Sequence, residues 1–228
     1  MSKGHLKQIV SPKTWILSRK QDKFVIKPSP GPHPIRFSIP LGFLLKMQGF
    51  GMTAREIKKI INTKNVLVDN RRVKNPKFPV GIMDVVNVKE TNDYFRVIFD
   101  TKGRLTVLPI TADDAKIKLC KVKNKTVISG GKIQINLFDS RNILSDNNDI
   151  KTGDTLVIDI SSKSVKEVIK FEKGVRALLT GGHHMGSIGT VKEIEKNAVV
   201  VDSEGVLFNT EKQFIFVVGK SKEVIKLR

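Results

Sequence analysis

The amino-acid sequence predicts an α+β, mainly β, multidomain fold: an extended N-terminal arm, a small two-helix-plus-hairpin module, a central mainly β domain and a small C-terminal β-barrel. The chain has 228 residues, enough for several small domains that each have a modest core. Residues 40 to 62 read as two short helices, and most apolar residues elsewhere form short strand-like runs between turn residues. The predicted segments are 1–40, 41–92, 93–170 and 171–228.

Positive charge is the dominant feature of the composition. Lys and Arg number 41 against 22 Asp and Glu, which gives a net charge of +19 and a pI near 10.1. A folded chain tolerates such a surplus best beside a polyanion, so nucleic acid is the predicted partner. No apolar run of about 18 residues is present, and the first ten residues do not resemble a secretory signal. The sequence therefore predicts a cytoplasmic protein without a membrane partner.

The N-terminal arm combines prolines with scattered cations. Proline favours an extended path, and an extended cationic segment suits tracking along phosphates. Trp15 is expected to need an apolar or stacking partner, which a free tail would not supply. The RNA-contacting residues predicted in this arm are His5, Lys7, Lys13, Trp15, Arg19, Lys20 and Arg36.

Two short helices are predicted next. Pro40 can start the first and Gly49 can stop it, while Thr53 and Glu56 form a capping box for the second. The first helix would bury Leu41, Leu44 and Leu45. The second would bury Ile57, Ile60 and Ile61 and expose Arg55, Lys58 and Lys59.

A basic hairpin follows these helices. Val66 and Val68 precede the turn-prone pair Asp69 and Asn70, and Val73 follows it. Residues 41–88 resemble the small RNA-binding module first described in bacterial ribosomal protein S-four and reused in pseudouridine synthases and tyrosyl-tRNA synthetases. The resemblance implies that the two helices and the hairpin contact the RNA backbone. The contact residues predicted in this module are Lys46, Thr53, Arg55, Lys58, Lys59, Arg71, Arg72, Lys74 and Lys77.

The last two segments are predicted to be mainly β. In the central segment, Thr111 and Asp114 are expected to cap a short helix that reaches Leu119, among strands. In the C-terminal segment, short strands surround a glycine-rich loop, and residues 175–201 resemble a KOW motif, an element that binds RNA and protein. This implies a KOW-type small barrel. The RNA contacts predicted in its loop are Gly182, His183, His184 and Gly186.

No catalytic, metal or cofactor site is predicted. The glycine-rich loop lacks the lysine of a phosphate-binding loop, and His183 and His184 have no third metal ligand at suitable spacing. Cys120 is the single cysteine and is predicted to be a small buried hydrophobe. Asp113 and Asp114 are predicted to start a helix. Pseudouridine synthases carry a nucleophilic Asp after Gly-Arg-Leu, but here Thr106 occupies that position.

Motifs along nearly the whole chain resemble the archaeal and eukaryotic small-subunit ribosomal protein family number four, e-type. They are His5-Leu6-Lys7 with Pro12-Lys13-x-Trp15, Gly31-Pro32-His33, Pro79-x-Gly81-x-Met83-Asp84-Val85, Phe95-Arg96 with Asp100-Thr101-Lys102-Gly103-Arg104, Ala115-Lys116-x-Lys118-Leu119-Cys120-Lys121-Val122, and Thr180-Gly181-Gly182 through Gly186. Gln8 and Val10 depart from the family's opening motif. The absence of a long basic tail after Arg228 suggests an archaeal source.

The resemblance implies a structural, non-enzymatic constituent of the small ribosomal subunit. Its implied partners are ribosomal RNA and neighbouring ribosomal proteins, with no small-molecule substrate. Two alternatives remain from the residues alone: a free-standing RNA-modifying or translation-control factor with a similar module, and a transcription factor built around the C-terminal barrel.

Overall fold

The computed structural model describes residues 4–145, 149–195, 198–203, 205–220 and 222–227. The chain divides into two compact units, the first formed by Met1–Ile98 with Arg104–Ala115 and the second by Phe99–Gly103 with Lys116–Arg228. The segments predicted as 1–40 and 41–92 both fall within the first unit. The first two strands of the segment predicted as 93–170 lie almost wholly in that unit as well.

The N-terminal segment is folded into the first unit, which corrects the prediction of an extended arm. Its strands are β1 (Leu6–Lys7), β2 (Phe24–Val25) and β3 (Ser38–Pro40), and β1 pairs antiparallel with β2. Trp15 is only 2% exposed, and its indole Nε1 donates a hydrogen bond to the Ser38 carbonyl at 2.8 Å. The Trp15 ring also stacks near Phe43, with centroids 5.9 Å apart. The tryptophan therefore supplies the apolar anchor that the composition of this segment otherwise lacks.

Both predicted helices and the hairpin are confirmed. They are α1 (Leu41–Met47), α2 (Ala54–Thr63), β4 (Val66–Val68) and β5 (Arg71–Arg72). The Glu56 N–H donates to the Thr53 hydroxyl, and the Glu56 carboxylate accepts from the Thr53 N–H, which completes the capping box. Asp69 and Asn70 both have positive φ, as a tight two-residue hairpin turn requires.

The first unit is completed by a five-stranded sheet. The remaining strands of this unit are β6 (Pro79–Gly81), β7 (Val85–Val88), β8 (Asp93–Phe99) and β9 (Leu105–Pro109). The sheet order is β5-β4-β7-β8-β9, and β6 pairs separately with β3. The basic hairpin therefore forms one edge of this sheet. The inner strands of the sheet bury mostly apolar side chains.

Two of the family motifs meet inside this unit. His33 Nε2 lies 3.0 Å from Asp84 Oδ2, and both side chains are buried. Asp84 also accepts a hydrogen bond from the Gly81 N–H at 2.8 Å. A Cβ atom on Gly81 would lie 2.1 Å from the His33 ring, so only glycine lets the ring approach this closely.

The helix predicted from Thr111 to Leu119 is wrong; this stretch crosses from the first unit into the second at Ala115 and Lys116. The helical residues form only a short 3-10 turn, Asp114–Lys116, and the chain then enters β10 (Ile117–Val127) instead of continuing helically to Leu119. The Thr111 hydroxyl accepts from the Asp114 N–H at 3.3 Å, so the capping signal was correct. Pairing of Ile117 to Lys121 with a neighbouring strand outweighs the local helical preference.

The central sheet of the second unit has the order β12-β11-β10-β13-β14. Its other strands are β11 (Ile133–Leu137), β12 (Asn142–Ser145), β13 (Thr155–Asp159) and β14 (Val165–Ile169). Cys120 is 2% exposed within an apolar cluster that includes Val122 and Ile135, which confirms it as a buried small residue. Lys118 is also buried, with its Nζ 3.1 Å from Asp139 Oδ2.

The C-terminal part of the second unit is a five-stranded antiparallel sheet. Its strands are β15 (Arg176–Leu179), β16 (Ile188–Ile194), β17 (Ala198–Ser203), β18 (Val206–Glu211) and β19 (Ile215–Gly219), in the order β18-β17-β16-β15-β19. The glycine-rich loop joins β15 to β16. The short strands predicted around this loop are confirmed. Neither of the described helices α1 and α2 has the length and apolar character of a membrane span.

Candidate nucleic-acid interface

Helix α2 presents a cationic face to solvent. Ile57 and Ile61 are buried on one side, while Arg55, Lys58 and Lys59 are exposed on the other. The capping box fixes where the helix begins, and hydrogen bonds from the backbone N–H groups of Met52 and Thr53 hold the pKa of Glu56 below its ordinary value. These local interactions fix the start of the helix and keep its three cations in one row.

The hairpin extends this cationic face. Arg71 and Arg72 form strand β5, and both side chains are exposed. The Arg72 guanidinium donates to the Asn62 carbonyl near the end of α2 at 3.4 Å, which shows that helix and hairpin adjoin. Arg72 keeps further N–H donors for an external acceptor, since a guanidinium has five. Helix and hairpin therefore form one continuous basic surface, which we call the α2–β5 face.

The cations predicted to contact RNA in this module form no ion pair in the part of the chain that the structure describes. Among the residues that the structure describes, no ion pair involves Lys46, Arg55, Lys58, Lys59, Arg71, Arg72, Lys74 or Lys77. All eight side chains are exposed. Some exposed lysines of the second unit are paired instead, since Lys166 lies 2.9 Å from Asp159 and Lys220 lies 2.7 Å from Glu167. The Glu167 hydrogen bond raises the pKa of Lys220. The α2–β5 face therefore carries part of the surface charge that the composition predicts to be uncompensated.

The RNA-contact residues predicted in the N-terminal segment are of two kinds: side chains exposed to solvent and side chains bonded within the protein. The exposed ones are His5, Lys7, Lys13, Lys20 and Arg36. Arg19 instead donates to the backbone carbonyls of Ile9, Ser11 and Pro12 at 3.1 to 3.2 Å. Its guanidinium therefore holds a turn of the segment together.

Trp15 is not available to RNA, contrary to the prediction. Its ring is buried and its single donor is already bonded to the Ser38 carbonyl. A base can stack only on an exposed aromatic face. The reasoning that Trp15 needs a partner was correct, but the partner belongs to the protein core.

The predicted loop residues also divide. Gly182, His183 and His184 are exposed, whereas Gly186 is buried. Gly186 has a φ of 91°, and a Cβ at this position would lie 1.9 Å from the Asp100 carbonyl oxygen. Its requirement for glycine is therefore steric, and the predicted RNA contact at Gly186 is corrected to a packing role.

Two cations counted in the net charge are bonded to carbonyl groups of the protein itself, and sequence reasoning did not predict this. Arg96 is fully buried, burial lowers the pKa of its guanidinium, and its Nη2 donates to the Asp114 carbonyl at 2.7 Å. Burial, with the nearby Lys212 cation, lowers the pKa of Lys121 to about 8, while its Nζ donates to the carbonyls of Gln213 and Ile215. Their positions inside apolar strand runs were the available signal.

Among the described residues, no three His, Cys, Asp or Glu side chains are grouped as a metal site would need.

Three family models match consecutive parts of the chain. The RS4NT (NUC023) domain matches residues 2–36, the S4 domain matches residues 41–86, and the ribosomal family S4e matches residues 91–165. The S4 match contains α1, α2 and the hairpin, which confirms the resemblance to the small RNA-binding module.

Curated proteins match almost the full length of the chain, and a solved structure matches most of it. The small ribosomal subunit protein eS4 of Methanothermobacter thermautotrophicus is 44% identical over 234 residues, covering 99% of this chain and 96% of that protein. The protein of the same name from Methanocaldococcus jannaschii is 44% identical over 240 residues, with coverages of 99% and 98%. The crystal structure of the 30S ribosomal protein S4e from Thermoplasma acidophilum has a TM-score of 0.70 at 30% identity, over 84% of this chain and 98% of that one. The chain therefore belongs to the eS4 family of small ribosomal subunit proteins.

Proposed function

We propose that the chain is a structural constituent of the small ribosomal subunit that binds ribosomal RNA, with neighbouring ribosomal proteins as further partners. The observation that supports this most directly is the α2–β5 face, on which adjoining elements expose cations that form no ion pair with any described residue. Such a face gains affinity by releasing counterions from RNA phosphates. The proposed location is the cytoplasm, where the small subunit works.

The proposed mechanism is charge neutralisation on a preformed shape. The capping box and the hairpin turn fix the backbone that carries the cations, so less conformational entropy is lost on binding. Phosphate contacts position a protein on RNA without reading its sequence. We therefore expect little sequence discrimination from Lys58, Lys59, Arg71 and Arg72. No catalytic residue is part of the proposal.

The remaining predicted contacts are proposals of the same kind. We propose that His5, Lys7, Lys13, Lys20 and Arg36 add contacts from the N-terminal segment, since their side chains are exposed. The four-segment division stays a proposal. The C-terminal sheet with its glycine-rich loop is proposed as a KOW-type barrel, and its antiparallel order and loop position support this.

Salt-dependent RNA binding tests the α2–β5 face. Filter binding of the full chain to a small-subunit rRNA transcript would be measured over a range of salt concentrations for Lys58→Ala, Lys59→Ala, Arg71→Ala and Arg72→Ala. Each variant is expected to lower the slope of log affinity against log salt by about one, because one phosphate contact is lost.

The matched controls are Lys166→Ala and Lys220→Ala in the second unit. Both lysines are exposed but already pair with carboxylates, so the slope should stay at the wild-type value. Slopes unchanged in all four α2–β5 variants would contradict the proposed interface. Sedimentation gives a separate test, since a structural constituent should co-migrate stoichiometrically with small subunits after a high-salt wash.

A further inference from the structure

The glycine-rich loop of the second unit displays aromatic rings at the surface. The His184 ring stacks on Phe208 of β18, with centroids 4.2 Å apart and planes at 17°. The His183 ring lies 5.8 Å from His184 at 85°. Both imidazoles are exposed and Phe208 is half-buried, so the outer ring of the stacked His184–Phe208 pair faces solvent beside a sheet edge.

This loop is held in place by its own backbone. The Gly186 N–H donates to the Leu179 carbonyl at 2.8 Å, and the Ser187 N–H donates to the His184 carbonyl at 3.1 Å. The close approach of Gly186 to the Asp100 carbonyl joins the loop to a neighbouring turn. The rings are therefore largely preorganised, which lowers the entropy lost when a ligand binds to them.

The neighbouring turn, residues 100–103, carries a cation. The Gly103 N–H donates to the Asp100 carbonyl, and the Thr101 N–H donates to the Asp100 carboxylate, both at 2.8 Å. A Cβ on Gly103 would lie 3.3 Å from the Met185 side chain, so this turn packs directly on the glycine-rich loop. Lys102, at the centre of the turn, is exposed and forms no ion pair among the described residues.

We propose that His183, His184 and Lys102 form a second RNA site that binds one unpaired nucleobase by stacking and its phosphate through the lysine. Paired bases are stacked inside a duplex, so only a bulged or single-stranded base can present its π-face to these rings. The inference deepens the proposed function and rests on it, because it names the part of the RNA that this loop would take.

The site differs from the α2–β5 face in its energetics. Stacking adds affinity without releasing counterions, so loss of an imidazole should weaken binding and leave the salt slope unchanged. Loss of Lys102 should lower the slope by about one and leave the preference for an unpaired base intact. These two signatures separate base stacking from simple attraction to phosphate.

The test uses the full chain and two probes. One is an RNA duplex with a single bulged 2-aminopurine, and the other is the same duplex with an abasic residue at the bulge. Wild-type protein should bind the first probe more tightly, by roughly 5- to 150-fold, the range for stacking of one base on an aromatic side chain. The 2-aminopurine fluorescence should change on binding, because its stacking environment changes.

The variants assign this preference to the loop. His184→Ala should remove the preference for the base-containing probe, and His184→Phe should retain it, because a flat ring remains at the position. Lys58→Ala is the matched control on the α2–β5 face, and it should weaken binding to both probes equally.

Each outcome decides a different question. If wild-type protein binds neither probe, the proposed RNA-binding function itself is refuted. If it binds both probes equally without a fluorescence change, only the stacking site is refuted. If His184→Ala does not fold, the comparison of the two probes with wild-type protein still decides, together with His184→Phe.

Discussion

Substitution of Trp15 tests whether the N-terminal segment is part of the protein core. The indole is 2% exposed, stacks near Phe43, and donates to the Ser38 carbonyl at 2.8 Å. Trp15→Phe keeps most of the apolar volume and loses the hydrogen bond, so the free energy of unfolding should fall by about 1 kcal/mol. Trp15→Ala also leaves a large cavity and should cost about 3–5 kcal/mol.

Two assays on the same variants separate a core role from RNA contact. Urea unfolding followed by circular dichroism measures the stability loss without relying on tryptophan fluorescence. Filter binding of the folded Trp15→Phe variant should show wild-type affinity and salt slope, because the buried ring cannot reach a base. The reasoning would be refuted by a Trp15→Phe variant with wild-type stability and reduced RNA affinity, since that pattern belongs to a stacking contact.

Two further predictions concern the interior of each unit. Gly81→Ala should cost about 3–5 kcal/mol of unfolding free energy, because its Cβ would displace the His33 ring and leave the Asp84 carboxylate buried without that partner. Gly4→Ala is the control for thermal or chemical unfolding, since a Cβ there meets nothing within 4 Å, and equal stability of the two variants would contradict the argument. For Lys121, burial lowers the pKa from 10.5 to about 8, so the unfolded chain binds the proton more tightly and stability should rise with pH between these values. The rise, measured against Lys121→Met by urea unfolding across this pH range, should be about 2 kcal/mol after allowance for partial solvent exposure, and parallel pH profiles would refute it.

Local signals predicted the elements that carry the α2–β5 face. Thr53 and Glu56 lie three residues apart and bond to one another, so the start of α2 depends on neighbouring residues only. Asp69 and Asn70 tolerate positive φ, which fixes the hairpin turn in the same local way. These features could be predicted because their stabilising contacts lie within a few residues along the chain.

Predictions failed where distant contacts decide the conformation or the exposure. The stretch after Asp114 becomes a strand because residues 117–121 pair with residues 155–159. Arg96 and Lys118 are buried although their residue types usually face solvent. The exposed stack of His184 on Phe208 joins residues 24 positions apart, and no local pattern indicated it.

The sequence by itself determined the family, the cationic character, the two helices and the basic hairpin. Charge and short-range hydrogen bonding are properties of residue types and their near neighbours, so they can be read along the chain. Only the tertiary structure decided which aromatic and charged side chains reach the surface. Trp15 lies in the core and His184 lies at the surface. Burial depends on packing between segments far apart in sequence, because those contacts remove apolar area from water and so provide the stabilising free energy.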